Sequence, residues 1–185
     1  MVSKARQRLS DDHEIASKVL KQLLTALDNK DVDTSYSKLD LLWARLAVHI
    51  RAEHLYLFPA VTNRLTKSRD GTLPDLSEAL AIVENLRADH DFFMRELARG
   101  MGILRELPQR IVTASNEAKL TAVGDIVREI EKRLATHNEI EENQIYRWSS
   151  TILTQPEQLM LLGLINSELE KRPPRFSEDA WANCL

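Results

Sequence analysis

Two short segments of the sequence each place a histidine four residues before a glutamate. The first runs from His49 to Glu53 and the second from His137 to Glu141. An α-helix makes one turn about every 3.6 residues, so side chains four positions apart lie on the same face. Each segment therefore predicts an imidazole and a carboxylate that reach the same point, where they could bind a metal ion together.

Both segments lie on apolar stripes of predicted helices. The stripes step by threes and fours through Leu42, Leu46, His49, Glu53, Tyr56 and Ala60, and through Val127, Ile130, Leu134, His137, Glu141, Ile145 and Trp148. An imidazole and a carboxylate on such a stripe point into the core. Their burial is unfavourable unless a partner satisfies them, and a metal ion is a suitable partner.

Two further histidines, His13 and His90, lie on the apolar faces of two other predicted helices. Each follows an aspartate and precedes a leucine by seven residues. One histidine on an apolar face is more often a hydrogen-bonded core residue than a ligand, but a core rarely satisfies four imidazoles and two carboxylates by hydrogen bonds alone. We therefore predict a metal site formed by His13, His49, Glu53, His90, His137 and Glu141.

The types of these ligands indicate the metal. Four nitrogens and two carboxylates without a thiolate suit iron, manganese or zinc, and six ligands exceed the four of a closed structural zinc site. Two ions therefore fit better than one. If the two glutamates bridge, one ion takes His13 and His49. The other takes His90 and His137, and positions remain open for an oxo bridge and a small ligand.

Three more side chains lie close to the two segments. His54 is one residue, or about 100° of helix, beyond Glu53, so we expect it to contact a ligand or the core edge, with direct metal ligation as the alternative. Tyr56 and Tyr146 could donate to a metal-bound oxygen. We expect instead that both rings pack along their helices with the hydroxyl outward.

The pattern of the whole sequence predicts an all-helical protein. It has only five glycines, and no stretch alternates with a period of two residues. We predict helices over residues 10–29, 34–68, 75–104 and 116–148, with Ser10 or Asp11 as the first cap, a kink at Pro59 and breaks at 69–74 and after Leu107. Two helical hairpins would close into an up-down four-helix bundle with pseudo-two-fold symmetry.

A fifth helix is predicted over residues 154–171, opened by Thr154 and Pro156. Its apolar run at 159–165 is too short for a bilayer, which takes roughly 20 residues. We expect it to lie against the bundle, with a homodimer interface as the alternative. The predicted domains are residues 1–150 for the bundle and 151–185 for this helix and an irregular tail.

Composition narrows the class of protein. The 185 residues are 43% hydrophobic and 29% charged with a formal charge of -3, which is typical of one globular domain and gives no reason to expect nucleic acid or a membrane as a partner. Cys184 is the single cysteine, and no apolar run follows the N-terminus. We therefore expect a cytoplasmic protein.

The residues singled out above resemble the hemerythrin-like proteins with an HHE cation-binding domain. The resemblance covers residues 11–150 and rests on His13, on His49-x-x-x-Glu53 followed by Leu57-Phe58-Pro59, on Asp89-His90, and on His137-x-x-x-Glu141-Glu142. It implies a four-helix bundle holding a non-haem di-iron centre that binds oxygen, nitric oxide or peroxide. It also adds Glu142 to the residues that could lie beside the ligands.

The sequence departs from the oxygen-carrying hemerythrins at Met94, where those proteins have a second histidine one turn after the third-helix ligand. Four histidines with two glutamates are more similar to the di-iron proteins that repair iron-sulfur clusters, which usually carry a cysteine-bearing N-terminal domain not found in this sequence. We expect neither reversible oxygen carriage nor direct cluster repair. The expected function is binding or reduction of a small diatomic or peroxide ligand at two irons, and the alternative is a non-catalytic sensor or iron-handling module read by a partner protein.

Overall fold

The structure is a computed structural model that describes residues 3–67, 73–107 and 114–182. In chain order its helices are α1 (Lys4–Asp28), α2 (Val32–Ala52), π1 (Glu53–Leu57), α3 (Phe58–Lys67), α4 (Leu76–Arg105), α5 (Ala114–Ile140), π2 (Glu141–Ile145), α6 (Tyr146–Ile152), α7 (Gln155–Leu169) and α8 (Glu178–Ala182). The described residues include no strand, so the all-helical prediction is confirmed for them. None of these helices is both long and apolar enough to cross a membrane. Cys184 and most of the two predicted breaks lie outside the described residues.

The first helix begins six residues earlier than predicted, at Lys4. Ser3 caps it, since the backbone N–H of Arg6 donates to Ser3 Oγ at 3.2 Å. The two predicted caps, Ser10 and Asp11, therefore lie inside α1. The starts of α2, α4 and α5 agree with the predictions to within two residues.

Each of the two His-Glu segments ends where the winding of its helix changes. The segment π1 begins at Glu53 and π2 begins at Glu141, and α-helical winding resumes at Phe58 and Tyr146. A π-helix closes its hydrogen bonds over five residues instead of four, so each π segment adds one residue to the turn. The change in π1 lies just before Pro59, the position of the predicted kink.

The added residue moves the buried face by one position. Three predicted core residues beyond the glutamates, Tyr56, Ala60 and Trp148, are partly exposed. The residues that follow each of them are buried instead, namely Leu57, Val61 and Ser149. The predicted stripes therefore hold as far as the glutamates and fail beyond them, except at Ile145, which is buried as predicted.

The predicted fifth helix is present as α7. It begins with a capping box in which the Thr154 side chain accepts from the backbone at Glu157 and the Glu157 carboxylate accepts from the backbone N–H of Thr154. The helix contacts π1. Its buried side chains are Leu161, Ile165, Glu168 and Leu169. The opposite face is apolar and exposed at Leu159 and Met160, and the dimer alternative stays a prediction.

The chain forms two compact units, neither of which is a continuous segment. One consists of Met1–His13, Ala47–His90 and Thr136–Lys171, and the other of Glu14–Leu46, Asp91–Ala135 and Arg172–Leu185. All six residues of the predicted metal site belong to the first unit. The predicted division at residue 150 stays a prediction.

Part of the C-terminal tail is ordered within the second unit. The short helix α8 carries Trp181, whose backbone carbonyl accepts a hydrogen bond of 2.8 Å from the buried Arg45. The Arg45 guanidinium also lies 4.9 Å from the Trp181 ring centre. Arg175 forms two contacts of 2.8 Å with the carboxylate of Asp40. The prediction of an irregular tail is therefore wrong for residues 178–182.

Candidate metal centre

The first unit brings all six predicted ligands together in its core. The four histidines come from α1, α2, α4 and α5, and each glutamate is the first residue of a π segment. The exposed fraction of these residues is between 0 and 6%. They form two groups that could hold a metal ion and that share one glutamate: His13, His49, Glu53 and Glu141, and His90, His137 and Glu141.

The histidines form two pairs that meet through their Nε2 atoms. The Nε2 atoms of His13 and His49 are 3.1 Å apart, and those of His90 and His137 are 2.9 Å apart. Two neighbouring ligands of an octahedral ion, each about 2.1 Å from it, lie about 3.0 Å from one another. Both pairs therefore have the spacing of two nitrogens that share a metal ion.

Each glutamate places one oxygen beside each histidine pair. Glu53 Oε1 is 3.4 Å from His49 Nε2, and its Oε2 is 3.4 Å from His90 Nε2. Glu141 Oε2 is 3.2 Å from His13 Nε2, and its Oε1 is 3.1 Å from His137 Nε2. Both carboxylates thus lie between the two histidine pairs, with one oxygen toward each pair.

The outward nitrogens of the four histidines also have partners. Three of them, the Nδ1 atoms of His13, His49 and His137, lie 3.0, 3.0 and 3.2 Å from carboxylate oxygens. The carboxylates belong, in that order, to Glu142, Asp12 and Asp89. The fourth, His90 Nδ1, lies 2.9 Å from Nε2 of His54. A carboxylate on the outer nitrogen fixes the tautomer of a ligating histidine and raises its basicity.

This arrangement fits a cation at the centre. A carboxylate only accepts, so a neutral histidine beside it donates from Nδ1 and presents a lone pair at Nε2. Two such lone pairs face each other between His13 and His49, which is unfavourable without a proton or metal ion between them. Glu53 Oε2 and Glu141 Oε1 are buried and face the Nε2 atoms of His90 and His137 at 3.1 to 3.6 Å. A pair of metal ions would satisfy all of these atoms.

The pKa values of the site also favour positive charge. Burial lowers the pKa of His49, but Glu53 and Asp12 outweigh it and raise that pKa well above its usual value. The same competition between burial and neighbouring carboxylates raises the pKa of His13 and of His137. Burial raises the pKa of Glu141, but the adjacent imidazoles hold it well below the usual range. Five carboxylates surround the imidazoles, namely those of Glu53, Glu141, Glu142, Asp12 and Asp89. Two divalent ions would offset four of these five negative charges.

Tyr146 lies inside the centre, so the prediction of an outward hydroxyl is wrong for this residue. It is fully buried. Its hydroxyl donates to Glu53 Oε1 at 2.7 Å and lies 3.0 Å from His13 Nε2 and 3.3 Å from Glu141 Oε2. The reason is π2, since five residues of π-helix bring Tyr146 back to the face of Glu141.

The structure separates the other candidates from the six central residues. His54 and Glu142 contact the outer nitrogens of His90 and His13, respectively, so they lie around the six central residues. Tyr56 is partly exposed and lines a surface cavity of about 260 Å³ with Met160 and other residues of α3 and α7. It takes no part in the centre.

Sequence reasoning missed the roles of Asp12 and Asp89. Each precedes a central histidine, and this repeat is visible in the sequence. However, each contacts the histidine of a different helix, since Asp12 reaches His49 and Asp89 reaches His137. Because one step along a helix is a rotation of about 100°, the aspartate and the histidine after it reach the same neighbouring histidine from two sides, one at Nδ1 and the other at Nε2.

Comparison with models of known protein families gives no match for this chain. A search of curated proteins also finds no sequence relative. The interpretation of the centre therefore depends on its own geometry.

Proposed function

We propose that this chain is a hemerythrin-like protein whose four-helix bundle holds two non-haem iron ions and binds or reduces oxygen, nitric oxide or peroxide. The observation that carries the proposal is the pairing of the histidines: two Nε2 pairs at 3.1 and 2.9 Å, with two buried carboxylates oriented toward both pairs. One ion would be held by His13 and His49. The other would be held by His90 and His137, with Glu53 and Glu141 between the two.

The side chains of the centre have distinct tasks in this proposal. Two bound iron ions would supply electrons and open coordination positions for a small ligand. The buried carboxylates offset their charge, and the aspartates on the outer nitrogens orient the imidazoles. The Tyr146 oxygen lies 3.0 Å from His13 Nε2, beside the proposed metal position, where it would adjoin a bound ligand.

The burial of the centre limits the size of the ligand. All six central residues are at most 6% exposed, which suits a diatomic molecule or peroxide and disfavours larger substrates.

The same burial favours a second candidate, a non-catalytic iron-dependent sensor or iron-handling module. In this candidate metal occupancy stabilises the bundle and a partner protein detects the change. Consumption of peroxide or nitric oxide by the iron-loaded protein would support the first candidate. Iron-dependent binding of a partner without turnover would support the second.

The direct test is the metal content of the purified protein together with its visible spectrum in air and after addition of azide. We expect two irons per chain and a charge-transfer spectrum that azide changes. A protein that takes up neither iron, manganese nor zinc would contradict the proposal.

Replacement of one central ligand tests the assignment of residues. We expect Glu141→Ala, and equally His137→Ala, to lose at least one of two metal ions while the chain stays helical by circular dichroism. Glu139→Gln changes an exposed carboxylate on the same helix and should keep both ions. Two full equivalents of metal in the Glu141 and His137 variants would show that these residues are not ligands.

A further inference from the structure

The centre contains an internal two-fold repeat. Asp12 and His13 of α1 correspond to Asp89 and His90 of α4, and each pair has the same contacts: the aspartate reaches the outer nitrogen of a neighbouring histidine, and the histidine meets that histidine through Nε2. The segments that start at His49 and His137 correspond in the same way. Each has a glutamate after four residues and a π-helix at that glutamate.

The repeat is broken at two positions. The residue after the glutamate is His54 in one half and Glu142 in the other. The fifth residue after the glutamate is Phe58 in one half and Tyr146 in the other. These two aromatic rings are equivalently placed, since Phe58 stacks on His90 with ring centres 6.1 Å apart and Tyr146 stacks on His13 with ring centres 5.5 Å apart.

Both breaks add oxygen to the side of His13. Its outer nitrogen meets the Glu142 carboxylate at 3.0 Å, and its inner nitrogen lies 3.0 Å from the Tyr146 hydroxyl. On the opposite side, His90 meets an imidazole and a phenyl ring. The two halves therefore offer different atoms to a metal ion, although their histidines and glutamates are the same.

The Tyr146 oxygen has the spacing of a ligand. It lies 2.7 Å from Glu53 Oε1, 3.0 Å from His13 Nε2 and 3.4 Å from His49 Nε2. These distances are close to the separation of about 3.0 Å expected between neighbouring ligands of one octahedral ion. All three partners belong to the same proposed metal position.

We propose that Tyr146 supplies an oxygen ligand to the metal ion held by His13 and His49, so that the two metal positions are chemically unequal. This inference rests on the proposed metal-binding function. Binding of the ion would replace the phenol O–H bond by an oxygen–metal bond. The proton would pass to the Glu53 carboxylate, which already accepts the hydrogen bond of the hydroxyl at 2.7 Å, and from there to solvent, with no transfer of electrons. An anionic oxygen is a hard donor, so the position with Tyr146 favours iron(III) and the position beside Phe58 favours a divalent ion.

The experiment loads the full chain with iron(II) under nitrogen, admits air, and measures iron per chain and the visible resonance Raman spectrum. We expect the wild type to show a phenolate-to-iron charge-transfer band with enhanced tyrosine ring vibrations. Tyr146→Phe should lose both signals and bind iron at least tenfold more weakly at one of the two positions. Tyr56→Phe removes a partly exposed tyrosine outside the centre and should leave the spectrum unchanged.

The outcomes separate this inference from the proposed function. Two irons in the wild type without a phenolate signal, or a signal that persists in Tyr146→Phe, would overturn the role of Tyr146 and leave the di-iron proposal intact. Absence of metal binding by the wild type would overturn both. Circular dichroism of Tyr146→Phe checks that the variant is folded. Tyr146→His, which offers a nitrogen ligand in place of oxygen, should restore the affinity for the second iron without the phenolate bands.

Discussion

At the scale of single residues, the position of one proton decides whether an imidazole of this centre can bind metal. His49 is an example, because Asp12 contacts its Nδ1 and so leaves the lone pair on Nε2. The aspartate is 2% exposed, which strengthens its hydrogen bond by excluding water. In the proposed centre, residues that do not bind the metal would thus control the protonation of the histidines that do.

Asp12→Asn tests this dependence. The amide is neutral and can donate to Nδ1, which would move the histidine proton to Nε2 and block that ligand. We expect the affinity for metal to fall about 10- to 100-fold, the range typical of such outer partners. Competition with a chelator measures this affinity. Asp11→Asn is the matched control, since Asp11 is the exposed neighbour, and equal affinity in the two variants would contradict the expectation.

His54 is the other partner to test. Among the described residues, it is the only histidine outside the six central residues that contacts one of them. We expect His54→Ala to keep two irons at saturating iron but to bind the second about 10-fold more weakly and with a changed spectrum, since His90 loses its outer partner. Leu55→Ala, at a neighbouring exposed residue, is the control. Loss of a whole iron at saturation would instead make His54 a direct ligand.

At the scale of elements, the sequence predicts the helices well and the π segments not at all. The apolar stripes identify the helices and the faces that carry His49 and His137, because period and burial agree over many turns. A single added residue leaves no such signal. An aromatic residue follows each glutamate by five positions, at Phe58 and Tyr146, and this spacing matches the longer turn of a π-helix. The capping box of α7 was predictable because it is local and depends on a few residues.

The role of α7 can be tested with two residues of the same helix. Ile165 is fully buried and Leu159 is 60% exposed. We expect Ile165→Ala to lower the free energy of unfolding by about 2–4 kcal/mol, because it leaves a cavity beneath α7. Leu159→Ala should change it by less than about 0.5 kcal/mol. Chemical denaturation measures both, and similar effects would mean that α7 does not cover a core.

At the scale of the whole molecule, we expect the proposed metal binding to be coupled to folding through the buried charges of the first unit. A ligand that binds only the folded state stabilises it by an amount that grows with the logarithm of its concentration, about 2.7 kcal/mol at 100 times the dissociation constant. Removal of the ions with a chelator should therefore lower the melting temperature. The pH then decides how large this effect is, since protons and metal ions compete for the same imidazoles.

The metal-free protein should lose stability as the pH rises above about 6.5, the ordinary pKa of histidine, and the metal-loaded protein should lose stability as the pH falls below it. In the metal-free protein the pKa of His13, His49 and His137 is raised. A histidine whose pKa is higher in the folded state stabilises the fold fully below its unfolded-state pKa. This stabilisation is lost as the pH rises through the folded-state pKa. Melting temperatures of the metal-free protein should therefore fall as the pH increases above about 6.5.

The loaded protein should lose stability as the pH decreases from about 6.5 to about 4.5, because protonated imidazoles release the ions. The gap between the two melting temperatures should consequently widen with increasing pH. The double variant His13→Ala, His90→Ala removes one nitrogen from each pair, so its melting temperature should depend less on pH with or without iron. If the loaded wild type and this variant lose stability in parallel below pH 6.5, surface carboxylates cause the acid sensitivity and the metal does not hold this core together.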